Sequence, residues 1–91
     1  MSKAGAMRID RLLCYLRFAR TRSLAAKLVG RGHLRCNGIR ITRSSHTVMP
    51  GDVLTIPVGD VVKLIEITAL PKRRGPPQEA QGCYHDLRSG A

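Results

Sequence analysis

The sequence predicts an α+β domain in which a hairpin of two helices packs on a small, mostly antiparallel sheet, with a short helix at the C-terminal end. Two observations lead to this prediction. Apolar residues recur at helical spacing in the first third of the 91-residue chain, and alternating segments joined by turn dipeptides follow them. A chain of this length has room for one domain.

The first predicted helix runs from residue 8 to between residues 18 and 20. Ile9, Leu12, Leu13 and Leu16 lie at positions i, i+3, i+4 and i+7, which is the spacing of one buried helix face. Thr21 is then typical of an N-cap, because its hydroxyl can accept a bond from a free backbone N–H. A second helix is predicted from residue 22 to about residue 31, with an inner face of Leu24, Ala25, Leu28 and Val29.

The Asn37-Gly38 dipeptide predicts a tight hairpin, because both central residues of a type I′ turn need positive φ. The turn fixes the register of residues 34–36 against residues 39–41, so Arg35 lies opposite Arg40. Like charges that are directly opposed destabilise a strand pair. Two interpretations stay open: both side chains turn into water, or a phosphate lies between the two guanidinium groups.

Two more strands are predicted after a polar link at residues 42–48. Pro50 and Gly51 suit the central positions of a type II turn, and residues 53–56 form the third strand. Gly59-Asp60 marks a second hairpin turn before the longest strand, at residues 61–69. Pro57 has no N–H to donate, so the strand end there is an edge or a bulge.

These patterns divide the chain into three segments. Residues 1–7 are small and aperiodic, which predicts a disordered N-terminal tail. Residues 8–70 form the domain. Residues 71–91 begin with a stiff basic linker, and a C-terminal helix over residues 78–87 is predicted from the helical spacing of Ala80, Cys83, Tyr84 and Leu87.

Positive charge is concentrated in the first half of the chain. The net charge is +10, and residues 8–43 hold ten of the sixteen Lys and Arg residues against a single acid, Asp10. A concentrated basic surface favours a polyanionic partner, because each neutralised phosphate releases condensed counterions. Asp10 is interpreted as a first-turn acid that opposes the helix dipole. The sequence therefore predicts a nucleic-acid-binding protein.

No cofactor and no metal are predicted. Cys14, Cys36 and Cys83 are odd in number and widely spaced, which favours a reduced, cytoplasmic setting. His33 and Cys36 resemble half of a zinc site, but the second close pair that structural zinc needs is missing. No apolar run reaches the roughly 20 residues that span a bilayer, so no membrane partner is predicted.

Several motifs occur along the chain in a fixed order, namely Arg8-Ile9-Asp10, the helix junction at residues 18–23, Gly32, Asn37-Gly38, Gly51-Asp52 and the tail motif Arg73-Arg74-Gly75-Pro76. Their order resembles the S4 RNA-binding domain, which is named after ribosomal small-subunit protein four. The chain is also similar to the heat-shock protein fifteen family, which consists of this domain and a short tail. The resemblance implies two helices packed on an antiparallel sheet, with RNA docked on the second helix and the hairpin.

The resemblance further implies which residues contact RNA. They lie at the start and on the outer face of the second helix and around the hairpin, and two arginines of the first helix add to them. The predicted RNA-binding residues are Arg8, Arg11, Arg20, Thr21, Arg22, Lys27, Arg31, His33, Arg35, Asn37, Arg40 and Arg43.

The partner implied by the resemblance is structured RNA, in particular ribosomal RNA of large subunits that are stalled with a nascent chain on transfer RNA. The expected role is that of a monomeric, ribosome-associated stress factor. A generic RNA-binding module and a structural ribosomal protein are the alternatives. A DNA-binding module is disfavoured because the second helix lacks outward Asn or Gln to read bases. An enzyme is disfavoured because the six acids include no plausible catalytic pair.

Overall fold

Seven strands and three helices are present in residues 5–87, which are the residues that this computed structural model describes. None of the helices in this part of the chain has the length and apolar character to cross a membrane. The elements in chain order are β1 (Met7–Arg8), α1 (Ile9–Tyr15), α2 (Arg22–Gly30), β2 (Leu34–Cys36), β3 (Ile39–Ile41), β4 (Thr47–Val48), β5 (Val53–Val58), β6 (Val61–Ile67), α3 (Pro77–Gln81) and β7 (Tyr84–Asp86).

Five strands form one antiparallel sheet in the order β3-β2-β5-β6-β7, and β1 and β4 form a separate antiparallel pair. Apolar side chains of α1, α2 and the sheet share one core, in which Ile9, Leu13, Leu34, Leu54 and Ile65 are fully buried. Helices this short are not stable alone, so they depend on the shared core. The predicted α+β arrangement of a helical hairpin and an antiparallel sheet is confirmed.

The β2–β3 hairpin has the register that its turn predicts. Arg35 lies opposite Arg40, and the flanking apolar pairs face the other side of the sheet. Asn37 has a φ of 54° and Gly38 a φ of 83°, as a type I′ turn requires. The turn dipeptide is therefore sufficient to place the two arginines side by side.

The end of α1 comes earlier than predicted. The helix stops at Tyr15 rather than between residues 18 and 20, because Arg17 has a φ of 71° and breaks the helical path. The N–H of Arg17 donates to Cys14 at 3.1 Å and the N–H of Phe18 donates to Leu13 at 2.9 Å, which is the Schellman pattern of a helix end. Glycine commonly takes that left-handed position, and this chain has Arg17 there instead. No residue in the local sequence therefore predicts that the helix ends here.

The bounds of α2 agree with the prediction, but one residue of its inner face does not. The Thr21 hydroxyl accepts a hydrogen bond from the N–H of Leu24 at 3.1 Å, as an N-cap does. Ala25 and Val29 are buried and Leu28 is partly buried. Leu24 was predicted to be inside and is 46% exposed, because the buried stripe is centred on Ala25 and Val29 and Leu24 lies at its margin.

A short strand pair joins the last residue of the predicted N-terminal tail and the first residue of the predicted first helix to two residues of the polar link. Met7 pairs with Val48 and Arg8 pairs with Thr47. The N–H of Ile9 then donates to the carbonyl of residue 46 at 2.7 Å, so α1 starts directly from this pair. Two-residue strands are too short to show a period. The tail prediction is wrong for Met7, and residues 1–4 lie outside the described residues.

The C-terminal segment holds a short helix and a strand where one longer helix was predicted. α3 ends at Gln81, and residues 84–86 pair with β6. Gly82 weakens a continuing helix, whereas the open edge of β6 offers a ladder of backbone hydrogen bonds. The Tyr84 ring lies 5.6 Å from the Phe18 ring, centroid to centroid, so the segment packs back on the domain. Residues 88–91 lie outside the described residues.

The strands β5 and β6 extend past their neighbours toward the Gly59-Asp60 turn. β5 continues to Val58, two residues beyond its predicted end, while its pairing with β2 stops at Thr55. The predicted edge at Pro57 is therefore confirmed on the β2 side. β6 ends at Ile67 rather than at residue 69, because the N–H groups of residues 68 and 69 donate to the carbonyl of residue 83.

Replacing Leu54 by Ala is expected to lower the free energy of unfolding by about 2 to 5 kcal/mol, because a fully buried side chain leaves a cavity. Leu24→Ala is the matched control, since the same atoms are removed from a half-exposed position and the expected loss is below about 1 kcal/mol. Chemical denaturation of both variants measures the difference. Equal losses would show that the described burial of the two leucines is wrong.

Candidate nucleic-acid interface

A buried carboxylate lies near the start of the basic segment, at residue 10. Asp10 is 4% exposed and is the one buried charged residue among residues 5–87. Arg8 donates to it from Nε at 3.2 Å and from Nη2 at 2.9 Å, and Arg22 donates from Nη2 at 3.4 Å. The backbone N–H of Arg11 donates to the same carboxylate at 2.7 Å. Arg8, Asp10 and Arg22 are called the Asp10 cluster below.

The pKa of Asp10 is lowered by this cluster. Burial is the largest single influence and acts to raise the pKa of the carboxyl, because it disfavours the charged form. The hydrogen bonds from Arg8 and from the N–H of Arg11, together with the positive charges of Arg22 and Arg8, outweigh burial and bring the pKa below its ordinary value. Asp10 is therefore ionised at neutral pH, and its negative charge is balanced by arginines of the same chain.

A groove with basic walls follows the outer side of α2. Its basic members are Arg20, Lys27 and Arg31, and all three are exposed. Phe18, Ala19, Leu24 and Leu28 form its apolar floor. The structure thus brings together the junction before α2 and the outer face of α2, as the resemblance implied. We call this the helix groove.

A second groove lies between β3 and β4 and is lined by residues 39–43 and 45–47. Arg40 and Arg43 supply its charge, and we call it the loop groove. It shares Thr47 with a further groove that is lined by Arg8 and Arg11. A side chain added at Gly32, just after α2, would lie 3.7 Å from Cδ of Arg40. The loop groove therefore adjoins the groove of Arg8 at Thr47, and one of its arginines lies close to the glycine that follows α2.

The structure leaves both interpretations of the Arg35–Arg40 pair open. The two residues are directly opposed across the strands and both are exposed. Arg35 donates from Nη1 to the carbonyl of Gly38 at 3.2 Å, which tilts its guanidinium toward the turn and away from a head-on contact. His33 is also exposed, just before β2. Its place beside the basic residues agrees with the predicted set.

Asn37 has a structural role that its turn position did not suggest. Its Nδ2 donates to Asp52 at 3.1 Å, and its Oδ1 accepts from the N–H of Val53 at 2.9 Å. Its own N–H donates to the carbonyl of Val53 at 2.7 Å. Both Nδ2 and Oδ1 of the carboxamide are thus hydrogen-bonded within the chain, so an RNA contact by Asn37 would use the part of the residue that stays exposed.

Two contacts beyond the predicted set bring the tail to the C-terminal end of α1. Arg74 donates from Nε to the carbonyl of Cys14 at 3.1 Å, and Arg17 donates from Nη1 to the carbonyl of Gly75 at 2.8 Å. Sequence reasoning missed both, because a side-chain bond to a distant carbonyl leaves no periodic signal. It also missed the role of Asp10 as the partner of two arginines, since a first-turn acid has a sufficient local explanation.

The thiol of Cys36 and the possible metal ligands of the described residues have plain structural environments. Burial and the neighbouring Asp52 raise the pKa of Cys36 to about 11, so this thiol is neutral and is no nucleophile at neutral pH. No group of three or more His, Cys, Asp or Glu side chains in residues 5–87 has the arrangement of a metal site. The exposed guanidinium and ammonium groups are what the surface offers to a ligand.

The S4 domain family model matches residues 7–54, which is more than half of the chain. The chain belongs to the S4 domain family. That segment includes β1, α1, α2, the hairpin and the start of β5, and every residue of the predicted RNA-binding set lies inside it. The sequence-based identification of an S4-type RNA-binding domain is confirmed, whereas the individual RNA contacts stay predictions.

Ribosomal proteins contain the same S4 domain. Small ribosomal subunit protein uS4 of Staphylococcus carnosus is 41% identical over 51 residues, which cover 56% of this chain and 25% of that protein. The uS4 protein of Novosphingobium aromaticivorans is 32% identical over 71 residues, which cover 76% of this chain and 35% of that protein. The chain thus spans about a quarter to a third of the length of these relatives.

One solved structure extends the likeness beyond the S4 domain. Vibrio cholerae Heat Shock Protein 15, described as a trimeric structure, superposes with a TM-score of 0.85 at 34% sequence identity. The superposition covers 91% of this chain and 83% of that chain. This coverage exceeds the S4 segment of residues 7–54, so the likeness extends past that segment, and the predicted resemblance to the heat-shock protein fifteen family is confirmed.

The stability of the protein is expected to fall in acid through Asp10. A carboxyl whose pKa is lowered by folding stabilises the fold fully above its ordinary pKa of 3.8, and this contribution is lost as the pH falls through the lower folded value. Unfolding free energies measured from pH 7 down to pH 2 should decrease less steeply in Asp10→Asn than in the parent protein. Identical slopes would show that the arginine contacts do not lower the pKa of Asp10.

Proposed function

We propose that this chain binds structured ribosomal RNA through one basic surface, made of the Asp10 cluster, the helix groove and the loop groove. One observation carries the proposal. The single acid of residues 8–43 is buried beneath two arginines, while three cations of this S4 domain segment line the helix groove and two line the loop groove. Such a surface attracts phosphates without an exposed carboxylate to repel them.

The aromatic side chains support a structured RNA over a single strand. The chain has one Phe, two Tyr and no Trp. Tyr15, Phe18 and Tyr84 are all partly buried, and the last two lie against each other. Proteins that bind single strands use exposed aromatic rings on which bases stack. Recognition of the shape and backbone of a folded RNA suits this surface better.

A role on the ribosome is the next step of the proposal. The uS4 relatives are ribosomal proteins, and likeness over 91% of the chain to a heat shock protein favours a ribosome-associated stress factor in the cytoplasm. The heat-shock protein fifteen resemblance further favours large subunits that are stalled with a nascent chain on transfer RNA. Catalysis forms no part of this proposal.

The uS4 matches favour a second candidate. Their identities of 32% to 41% within the S4 segment suit an accessory or structural protein that binds small-subunit RNA without a rescue role. The two candidates place the same basic surface on different subunits. Subunit preference therefore separates them, and binding to duplex DNA of equal length tests the disfavoured DNA-binding alternative.

A monomer is the proposed active form. The relative from Vibrio cholerae has a trimeric structure, so the oligomeric state is a direct question for this chain. Light scattering coupled to size exclusion, with and without an RNA fragment, answers it. A stable trimer in both conditions would replace the monomer in the proposal and leave the basic surface unchanged.

The double variant Lys27→Gln with Arg31→Gln is expected to weaken RNA binding by about tenfold or more. It should also reduce the slope of log K against log salt by about 0.7 to 0.9 per lost phosphate contact. Lys72→Gln with Arg73→Gln is the matched control, because it removes one Lys and one Arg from the exposed tail. Equal effects of the two pairs would reduce the surface to general attraction by net charge.

Co-sedimentation with isolated ribosomal subunits is expected to show retention on large subunits at physiological salt, and most retention when peptidyl-transfer RNA is bound. Small subunits and large subunits without a nascent chain are the controls. Retention on small subunits alone would favour the accessory role, and salt-labile binding to all particles would contradict a specific ribosomal site.

A further inference from the structure

The Asp10 carboxylate fixes two arginines that come from different elements. Arg8 belongs to β1 and Arg22 is the first residue of α2. Their Nη2 atoms contact the same oxygen, Oδ2, at 2.9 and 3.4 Å. The distance between the two nitrogens therefore cannot exceed the sum of these two contact distances. One carboxylate therefore sets the separation of two guanidinium groups.

Both guanidinium groups keep donors for a ligand. The side chain of Arg8 is 46% exposed and that of Arg22 is 47% exposed, whereas the side chain of Asp10 is 6% exposed. A guanidinium carries five N–H donors, and the contacts to Asp10 use two from Arg8 and one from Arg22. The carboxylate is thus buried, while nearly half of each arginine side chain stays accessible and part of its N–H donors is not used by Asp10.

We propose that Asp10 is a positioning residue that holds Arg8 and Arg22 as a preformed cradle for one phosphate of the RNA backbone. The inference rests on the proposed function and deepens it. Ordering long side chains on binding costs conformational entropy, and here Asp10 already orders both arginine side chains in the free protein. The capped start of α2 lies beside the cradle and adds its positive dipole end.

The Arg35–Arg40 pair of the hairpin can be compared with the Arg8–Arg22 pair of the cradle. Arg35 and Arg40 are directly opposed in the sheet, yet no carboxylate among residues 5–87 is bonded to them, and Arg35 is bonded to a carbonyl of its own turn. Both pairs bring the same charge to the surface. The Asp10 cluster differs in that a buried anion orients its cations and offsets their mutual repulsion.

The proposal predicts that removing the Asp10 carboxylate weakens RNA binding, whereas the change in net charge alone would strengthen it. Removing an acid from a polyanion-binding protein ordinarily strengthens binding, because repulsion is lost. Asp10→Asn is expected instead to weaken binding of purified large-subunit ribosomal RNA by about tenfold, the scale of one charge-assisted contact. Asp60→Asn is the matched control: it removes an exposed acid from the β5–β6 turn and should leave the affinity unchanged or raise it.

Conservative variants separate positioning from folding, should Asp10→Asn lose stability. Arg22→Lys keeps the charge but loses the planar fork that reaches both carboxylate and phosphate, so it should bind several-fold more weakly. Arg73→Lys, in the exposed tail, makes the same exchange outside the proposed surface and should bind like the parent. Combining Asp10→Asn with Arg22→Lys should weaken binding by less than the two single effects multiplied, because both act through one contact.

A readout without RNA distinguishes this inference from the proposed function. In the free protein, the Arg8 Nε–H group should give a slowly exchanging side-chain resonance that is lost in Asp10→Asn. If the parent protein binds no ribosomal RNA, the proposed function fails and the phosphate cradle fails with it, even with that resonance present. If the parent binds RNA and Asp10→Asn binds as tightly or more tightly, the positioning role alone is overturned.

Discussion

The carboxamide of Asn37 is the contact on which the sheet depends. It bonds the β2–β3 turn to β5 through Val53 and to the preceding loop through Asp52. Asp52 in turn accepts from the N–H of Met49 at 3.0 Å and, through its carbonyl, from the N–H of Ile67 at 2.9 Å. One side chain therefore joins the hairpin, the turn before β5 and the end of β6. A residue chosen for its turn conformation thus also sets how the basic hairpin lies on the core.

The division between an aliphatic core and cationic outer faces explains how one small domain carries so much positive charge on one side. The core uses aliphatic side chains from both helices and the sheet, so the outer faces of α2, the hairpin and the β3–β4 loop are left for cations. Repulsion among those cations is offset at one point, where Asp10 lies beneath Arg8 and Arg22. Because the acid is buried, it stabilises the basic surface without being presented to a ligand.

The parts of the fold that sequence predicts well are those with a local physical cause. Asn37-Gly38 determines the hairpin register by itself, and Thr21 marks the start of α2. The end of α1 and the strand β7 have no such local cause. Arg17 takes a conformation that usually belongs to glycine, and β7 exists because β6, about twenty residues earlier, has an open edge. For the interface, charge and family resemblance predict the surface, while the pairing of Asp10 with arginines from two elements requires the tertiary structure.

The reciprocal bonds of Arg17 to Gly75 and of Arg74 to Cys14 have a consequence for synthesis. They join positions that are 58 and 60 residues apart, and they supply donors and acceptors at the C-terminal end of the first helix. During translation, which proceeds from the N-terminus, these partners become available only after 58 and 60 further residues have been made. The helical hairpin therefore acquires these two supports later than the hydrogen bonds within its own helices.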